Sequence, residues 1–138
     1  MSFVLDNSVV SGWFLNDQAC VYSESIATRL QTVRAIAPPL LQLEYTNVLR
    51  TACKRQKLIA AQAHQIAATL AELPIDIDNA SLHPAQVLDL ALRYDLTSYD
   101  AVYLDLALRR GVPIATRDEA LANAAVVAGV GVVAPTDY

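Results

Sequence analysis

Short apolar runs recur along this chain with room for one or two helices between them, and that alternation is the strongest constraint on its fold. FVLD occupies residues 3–6, AIAPP 35–39, IDID 75–78 and VPIAT 112–116, and VGVVAP lies near the end. All are of strand length; IDID alternates apolar and acidic residues as a strand near a sheet edge does. Between the runs the sequence takes a helical period. Residues 20–33 carry Ile26, Leu30 and Val33 at helical spacing, and LLQLEYTNVLRTACKR repeats clearly behind two prolines. An alanine-rich stretch over about 59–73 stops at Pro74. Ser8 is placed to cap a first helix containing Trp13 and Phe14, and Pro84 suits the first turn of a helix ending near Tyr94. Residues 99–110 make another helix, ended by Gly111, and 118–127 the last. Strands alternating with helices predict an α/β domain of three layers, α/β/α, around a mainly parallel sheet.

At 138 residues a single domain, 1–138, accounts for the whole chain and buries about two thirds of its unfolded surface. With 54% hydrophobic and 17% charged residues the chain is not disordered. No uncharged apolar stretch reaches the ~18 residues of a membrane span, and the N-terminus lacks the pattern of a signal peptide. Cys20 and Cys53 are too few for a disulfide framework and are expected as reduced packing residues. The expected location is the cytoplasm, with no membrane contact. A net charge of −4 opposes diffuse attraction to nucleic acid. The local exception is RTACKRQK, residues 50–57, which holds four of the ten basic residues; a solvated helix end is an equally available reading. The glycines form neither a GxGxxG nor a P-loop pattern, which argues against a phosphate cradle.

Ligands of open parallel sheets bind beyond the carboxyl ends of the strands, so acids at such ends are worth separating from the rest of the fourteen. Asp6 ends the first strand, Asp118 lies two residues past VPIAT, Asp100 stands at the start of a helix in LTSYDAVYLDLA, and Glu44 sits alone in PPLLQLEYTNVL. Each also has a plain structural reading. TRDE has the form of a capping box with Thr116 as N-cap, TSYD offers the same for Asp100, Glu44 fits a solvated helix face, and Asp6 suits a turn cap. Together they say more. Two unit charges ~4 Å apart repel by about 4 kcal/mol at an effective dielectric of 20, so such a cluster must hold protons or a cation. Oxygen-only donors suit Mg²⁺ or Mn²⁺ rather than zinc, and His64 and His83 lie in helical or capping contexts apart from these acids.

VLDNSV, LEYTNVL, SYDAVYLDLA and PIATRDEAL, in that order and across essentially the whole chain, resemble the PIN-domain family, and the size with the late YDA and TxD is similar to VapC-type toxins of toxin–antitoxin pairs. The resemblance implies a parallel sheet of about five strands, metal-dependent endoribonuclease activity on RNA phosphodiesters, and a cognate antitoxin that blocks the site. It also implies metal contacts at Asp6, Glu44, Asp100 and Asp118, and a homodimer that meets DNA only through the antitoxin. Asp105, about 140° round the helix from Asp100, falls outside this set. Hydrolysis by metal-activated water is expected to leave a 5′-phosphate and a 3′-hydroxyl. Asn47, one turn beyond Glu44, and Ser8 and Thr116, beside site acids, are candidates to support the shell. Arg50 and Lys54 are candidates to guide the RNA backbone. Trp13, Phe14 and Tyr22 serve either the core or a groove for the antitoxin. Two alternatives stand beside the nuclease: a haloacid-dehalogenase-like phosphatase, whose second acid is replaced here by Ser8, and a catalytically silent partner-binding module in a DNA-bound antitoxin complex.

Overall fold

Four apolar runs become parallel strands. A computed structural model of the chain describes residues 2–135. β1 is Phe3–Leu5, β2 Ala35–Ala37, β3 Ile75–Ile77 and β4 Ile114–Ala115, in the spatial order β3-β2-β1-β4. Every pairing is parallel, with Val4 opposite Ile36 on one side and Ile114 on the other. All strand ends therefore face one rim. The central β1 is fully buried, as its unbroken FVL run requires. IDID forms the edge strand, and its outward Asp76 is paired with Arg34.

The helices are α1 (Asn7–Phe14), α2 (Val21–Arg29), α3 (Leu40–Lys54), α4 (Ala60–Ala71), α5 (Pro84–Tyr94), α6 (Ser98–Arg110) and α7 (Glu119–Val127). α1 packs on α2 and α3, and α3 on α4; α5, α6 and α7 form a second group in which α6 lies against β1 and β4. The arrangement is the expected three-layer α/β/α architecture. α5 begins with Pro84 at its first turn. α6 is bounded by Thr97, whose hydroxyl accepts from the Asp100 amide, and by Gly111 in a left-handed conformation (φ 65°).

Two expectations change. The helix expected over 20–33 ends at Arg29, because the amides of Gln31, Thr32 and Val33 bond back to the carbonyls of Thr28 and Arg29 and turn the chain toward β2. The sheet has four strands, not about five: VGVVAP contributes a single bridge, Val132 to Ile114, since Gly129 and Gly131 sit at φ 87° and 79° and break the extended backbone.

Candidate active site on the carboxyl rim

Asp6 leaves β1 at its carboxyl end and occupies the N-cap position of α1, yet its side chain makes no capping bond. Ser8, expected as that cap, lies inside the helix instead. The Asp6 carboxylate, 5% exposed, accepts from two hydroxyls at one oxygen: Ser8 Oγ and Thr116 Oγ1 both donate to Oδ2 at 2.7 Å. Each hydroxyl in turn accepts a backbone N–H, Ser8 from Arg117 at 2.8 Å and Thr116 from Asp118 at 3.0 Å. Two loops are thus stitched together around one carboxylate. Burial pushes the Asp6 carboxyl above the usual range, and the hydroxyls of Thr116 and Ser8 pull it back.

The other acids arrive from three helices. Glu44 projects from α3, half-buried, and accepts a short hydrogen bond at Oε1 from the Tyr103 hydroxyl. Its carboxyl is raised by burial and by the Asp6 charge, against the pull of Tyr103. Asp100, in the first turn of α6, is pushed up to about 6, first by burial and then by the charges of Asp118, Asp6 and Glu44. Asp118 is the N-cap of α7, where Oδ2 accepts the Leu121 amide at 2.8 Å. The N-cap expected at Thr116 is therefore displaced by two residues to Asp118, and no capping box forms because its third helical position is Leu121; the Thr116 hydroxyl is committed to Asp6. Among the described residues the ion pairs are Arg34–Asp76, Lys57–Asp17, Arg109 with Asp78 and Asp105, and Arg110–Asp78. None of them neutralises the four rim acids. Asp78, at the end of β3 on the same rim, makes the contrast: two arginines hold it.

Other candidates lie elsewhere. Asn47 is exposed and borders a hollow with Leu15, Gln18 and Lys57 rather than the carboxylates. Arg50 lines the groove between α3 and α4 with His64, away from Glu44, because six residues turn a helix by about 240°. Lys54 is exposed about 15 Å along α3 from Glu44, too far to flank it. Asp105 is buried against Gln86 and Arg109. Trp13 and Phe14 are partly buried and line an apolar hollow with Leu30, Ile66, Leu70 and Leu73; Tyr22 instead anchors its hydroxyl on the Val133 carbonyl. Tyr103 was not among the sequence candidates. Its spacing, three residues after Asp100 on one helix, is the signal that points to it.

Residues 3–127 match the PIN domain, a family description that spans most of the chain. The chain belongs to the PIN-domain family. Over 90 residues this PIN domain is 38% identical to Ribonuclease VapC1 of Mycobacterium tuberculosis, in strains CDC 1551 / Oshkosh and ATCC 25618 / H37Rv. That match covers 64% of this chain and 65% of theirs, just under two thirds of the relatives' length. The crystal structure of PAE2754 from Pyrobaculum aerophilum superposes with a TM-score of 0.69 at 18% identity, over 90% of this chain and 84% of that one, and shares the fold.

Among the described residues no three acids, histidines or cysteines stand close enough to grip an ion as they are. The donor set of this PIN domain nonetheless fits a hard divalent cation: Asp100 feels the charges of Asp118, Asp6 and Glu44, Glu44 feels that of Asp6, and among the described residues none of the four has a basic partner. Their repulsion opposes closer approach until positive charge is supplied. Among the described residues, no helix is long and apolar enough to cross a membrane.

Proposed function

We propose that this PIN domain is a divalent-metal-dependent endoribonuclease, the toxin of a type II toxin–antitoxin pair, and that Asp6, Glu44, Asp100 and Asp118 are its metal-holding residues. The observation that carries the proposal is the gathering of four carboxylates on one rim without a basic partner among the described residues, in a chain with likeness to Ribonuclease VapC1. Bound there, Mg²⁺ or Mn²⁺ supplies a Lewis acid that lowers the pKa of water and offsets charge on the scissile phosphate. The protein's own part is positioning. Ser8 and Thr116 fix Asp6 at Oδ2, and Tyr103 fixes Glu44. Asp100, with its pKa near 6, gives up its remaining proton as positive charge approaches.

The apolar hollow of ≈ 350 Å³ between α1, α2 and α4, lined by Trp13 and Phe14, supports binding of an amphipathic antitoxin segment. A homodimer is supported by Leu88 and Leu92, exposed four residues apart on α5. DNA contact is left to the antitoxin. The family match removes the ground for a haloacid-dehalogenase-like phosphatase. The test uses the purified chain free of any antitoxin, with single-stranded and structured RNAs in Mg²⁺, Mn²⁺ or chelator. Metal-dependent cleavage to 5′-phosphate ends, lost in Asp6→Ala and Asp100→Ala, is expected. Products with 2′,3′-cyclic phosphate overturn the metal–water scheme, and failure on every RNA in either metal favours the silent binding module.

A further inference from the structure

A cavity of ≈ 350 Å³ is walled in part by α3 and α6, the two helices that also carry Glu44 and Asp100. On α3, Leu40 lines the cavity one turn before Glu44. On α6, Tyr99 and Val102 line it, whereas Asp100 and Tyr103, each one residue on and about 100° round, belong to the carboxylate site. The volume lies within the ~300–1,000 Å³ range of small-ligand pockets. Its lining is largely apolar and includes Pro38, Pro39, Leu40, Leu82 and Tyr99. Leu82 and Tyr99 are 59% and 62% exposed, so these large apolar groups stand open to water, Tyr99 directly before Asp100 in the chain.

The polar border is rigid. Arg109 donates from Nε to Asp105 Oδ2 at 3.0 Å and from Nη1 to Asp78 Oδ2 at 3.1 Å, and Asp105 Oδ1 accepts from Gln86 at 2.8 Å. A guanidinium carries more donors than the two so used, held here in a fixed plane. Apolar walls, one exposed aromatic ring and hydrogen-bonded polar groups match an unstacked nucleobase, the feature by which single-stranded RNA is read. Adjacent residues are ~3.8 Å apart along the backbone, so Tyr99 lies within a nucleotide's reach of Asp100.

We propose that this cavity seats one unpaired nucleobase of the RNA, stacked on Tyr99, and sets the base preference at the nucleotide next to the cut. The proposal rests on the ribonuclease reading above, and two measurements separate their failures. Titration of the ¹⁵N-labelled full chain with adenosine, guanosine, cytidine and uridine is expected to shift the amides of Leu82, Tyr99 and Val102, with at least one nucleoside preferred. Tyr99→Ala, an exposed substitution that spares the core, abolishes the shifts, and Tyr99→Phe retains them. In cleavage, RNA abasic at the neighbouring nucleotide is cut about tenfold more slowly by the wild type, and Tyr99→Ala cuts intact and abasic RNA alike. Nucleoside shifts in a chain that cleaves no RNA uphold the pocket and overturn the nuclease reading. Cleavage without those shifts, and with abasic RNA cut as fast as intact, overturns the pocket alone. Shifts of Leu82 and Tyr99 that follow protein concentration and ignore nucleoside also overturn it, and give the face to a second copy of the chain.

Discussion

Replacing Asp100 by Asn tests whether the rim acids are held against their electrostatic preference. In the unfolded chain this carboxyl titrates at the ordinary 3.8; in the folded chain burial and three neighbouring carboxylates raise it to about 6. The folded state therefore binds the proton more tightly. Its contribution to stability is fully present below about pH 4 and is lost as pH rises through 6. The interval corresponds to about 3 kcal/mol as an upper value. Asp100 is only half-buried, and solvent screening reduces the figure to about 1–2 kcal/mol. Asp100→Asn keeps the shape and removes the charge. Urea unfolding in chelator should find the variant more stable than wild type by about 1–2 kcal/mol at pH 7.5, with the gap closing toward pH 4. Added Mg²⁺ or Mn²⁺ should close it from the other side, stabilising the wild type far more than the variant. A variant no more stable at pH 7.5, or a gap that ignores pH, refutes the electrostatic account.

Three further substitutions probe the supports. Thr116→Val removes a donor to the buried Asp6 carboxylate and should lower stability by about 1–3 kcal/mol at neutral pH, with the Asp6 titration, followed by carboxyl NMR, moving further upward. Tyr103→Phe frees Glu44, so cleavage is expected to fall by roughly tenfold or more, while chemical denaturation registers a loss of about 1 kcal/mol. Gly12→Ala would set a methyl group 2.5 Å from Ser23 Oγ and 2.8 Å from Ser23 Cβ, on a serine with no exposed surface. Pushing α1 off α2 should lower stability by about 1–3 kcal/mol, read as a fall in the melting temperature.

What the chain discloses in advance depends on whether the decisive interaction is local. α5 begins and ends where Pro84 and Tyr94 suggest, because a proline at the first turn and an apolar period are properties of the segment itself. The caps at Ser8 and Thr116 mislead for the opposite reason. Both hydroxyls look like N-caps in their own neighbourhoods, but a carboxylate binds them, and for Thr116 that carboxylate lies 110 residues away. VGVVAP has the composition of a strand; the positive φ of Gly131 cancels it. At the candidate site, the strand-end rule points to Asp6 and Asp118, since parallel strands put their carboxyl ends on one rim, whereas Glu44 and Asp100 reach it from helices and Asp78, at the same rim, is taken up by arginines. Arg50 fails as a neighbour of Glu44 because proximity along a helix is not proximity around it, and Lys54 because ten residues carry it too far along the axis. Tyr103 escapes notice because its partner Glu44 is 59 residues distant.

The double-hydroxyl clasp on Asp6 ties the site to the order of synthesis. A nascent chain acquires Asp6, Glu44 and Asp100 first, but Thr116 and the amides of Arg117 and Asp118 close the clasp only after β4 has paired with β1 across most of the sequence. Such long-range closure comes late in folding. On the ribosome three of the four rim acids are therefore made before they are organised, and a chain interrupted before β4 carries Asp6, Glu44 and Asp100 without the clasp that aligns the rim. Order at the rim thus follows from where the last loop stands in the sequence.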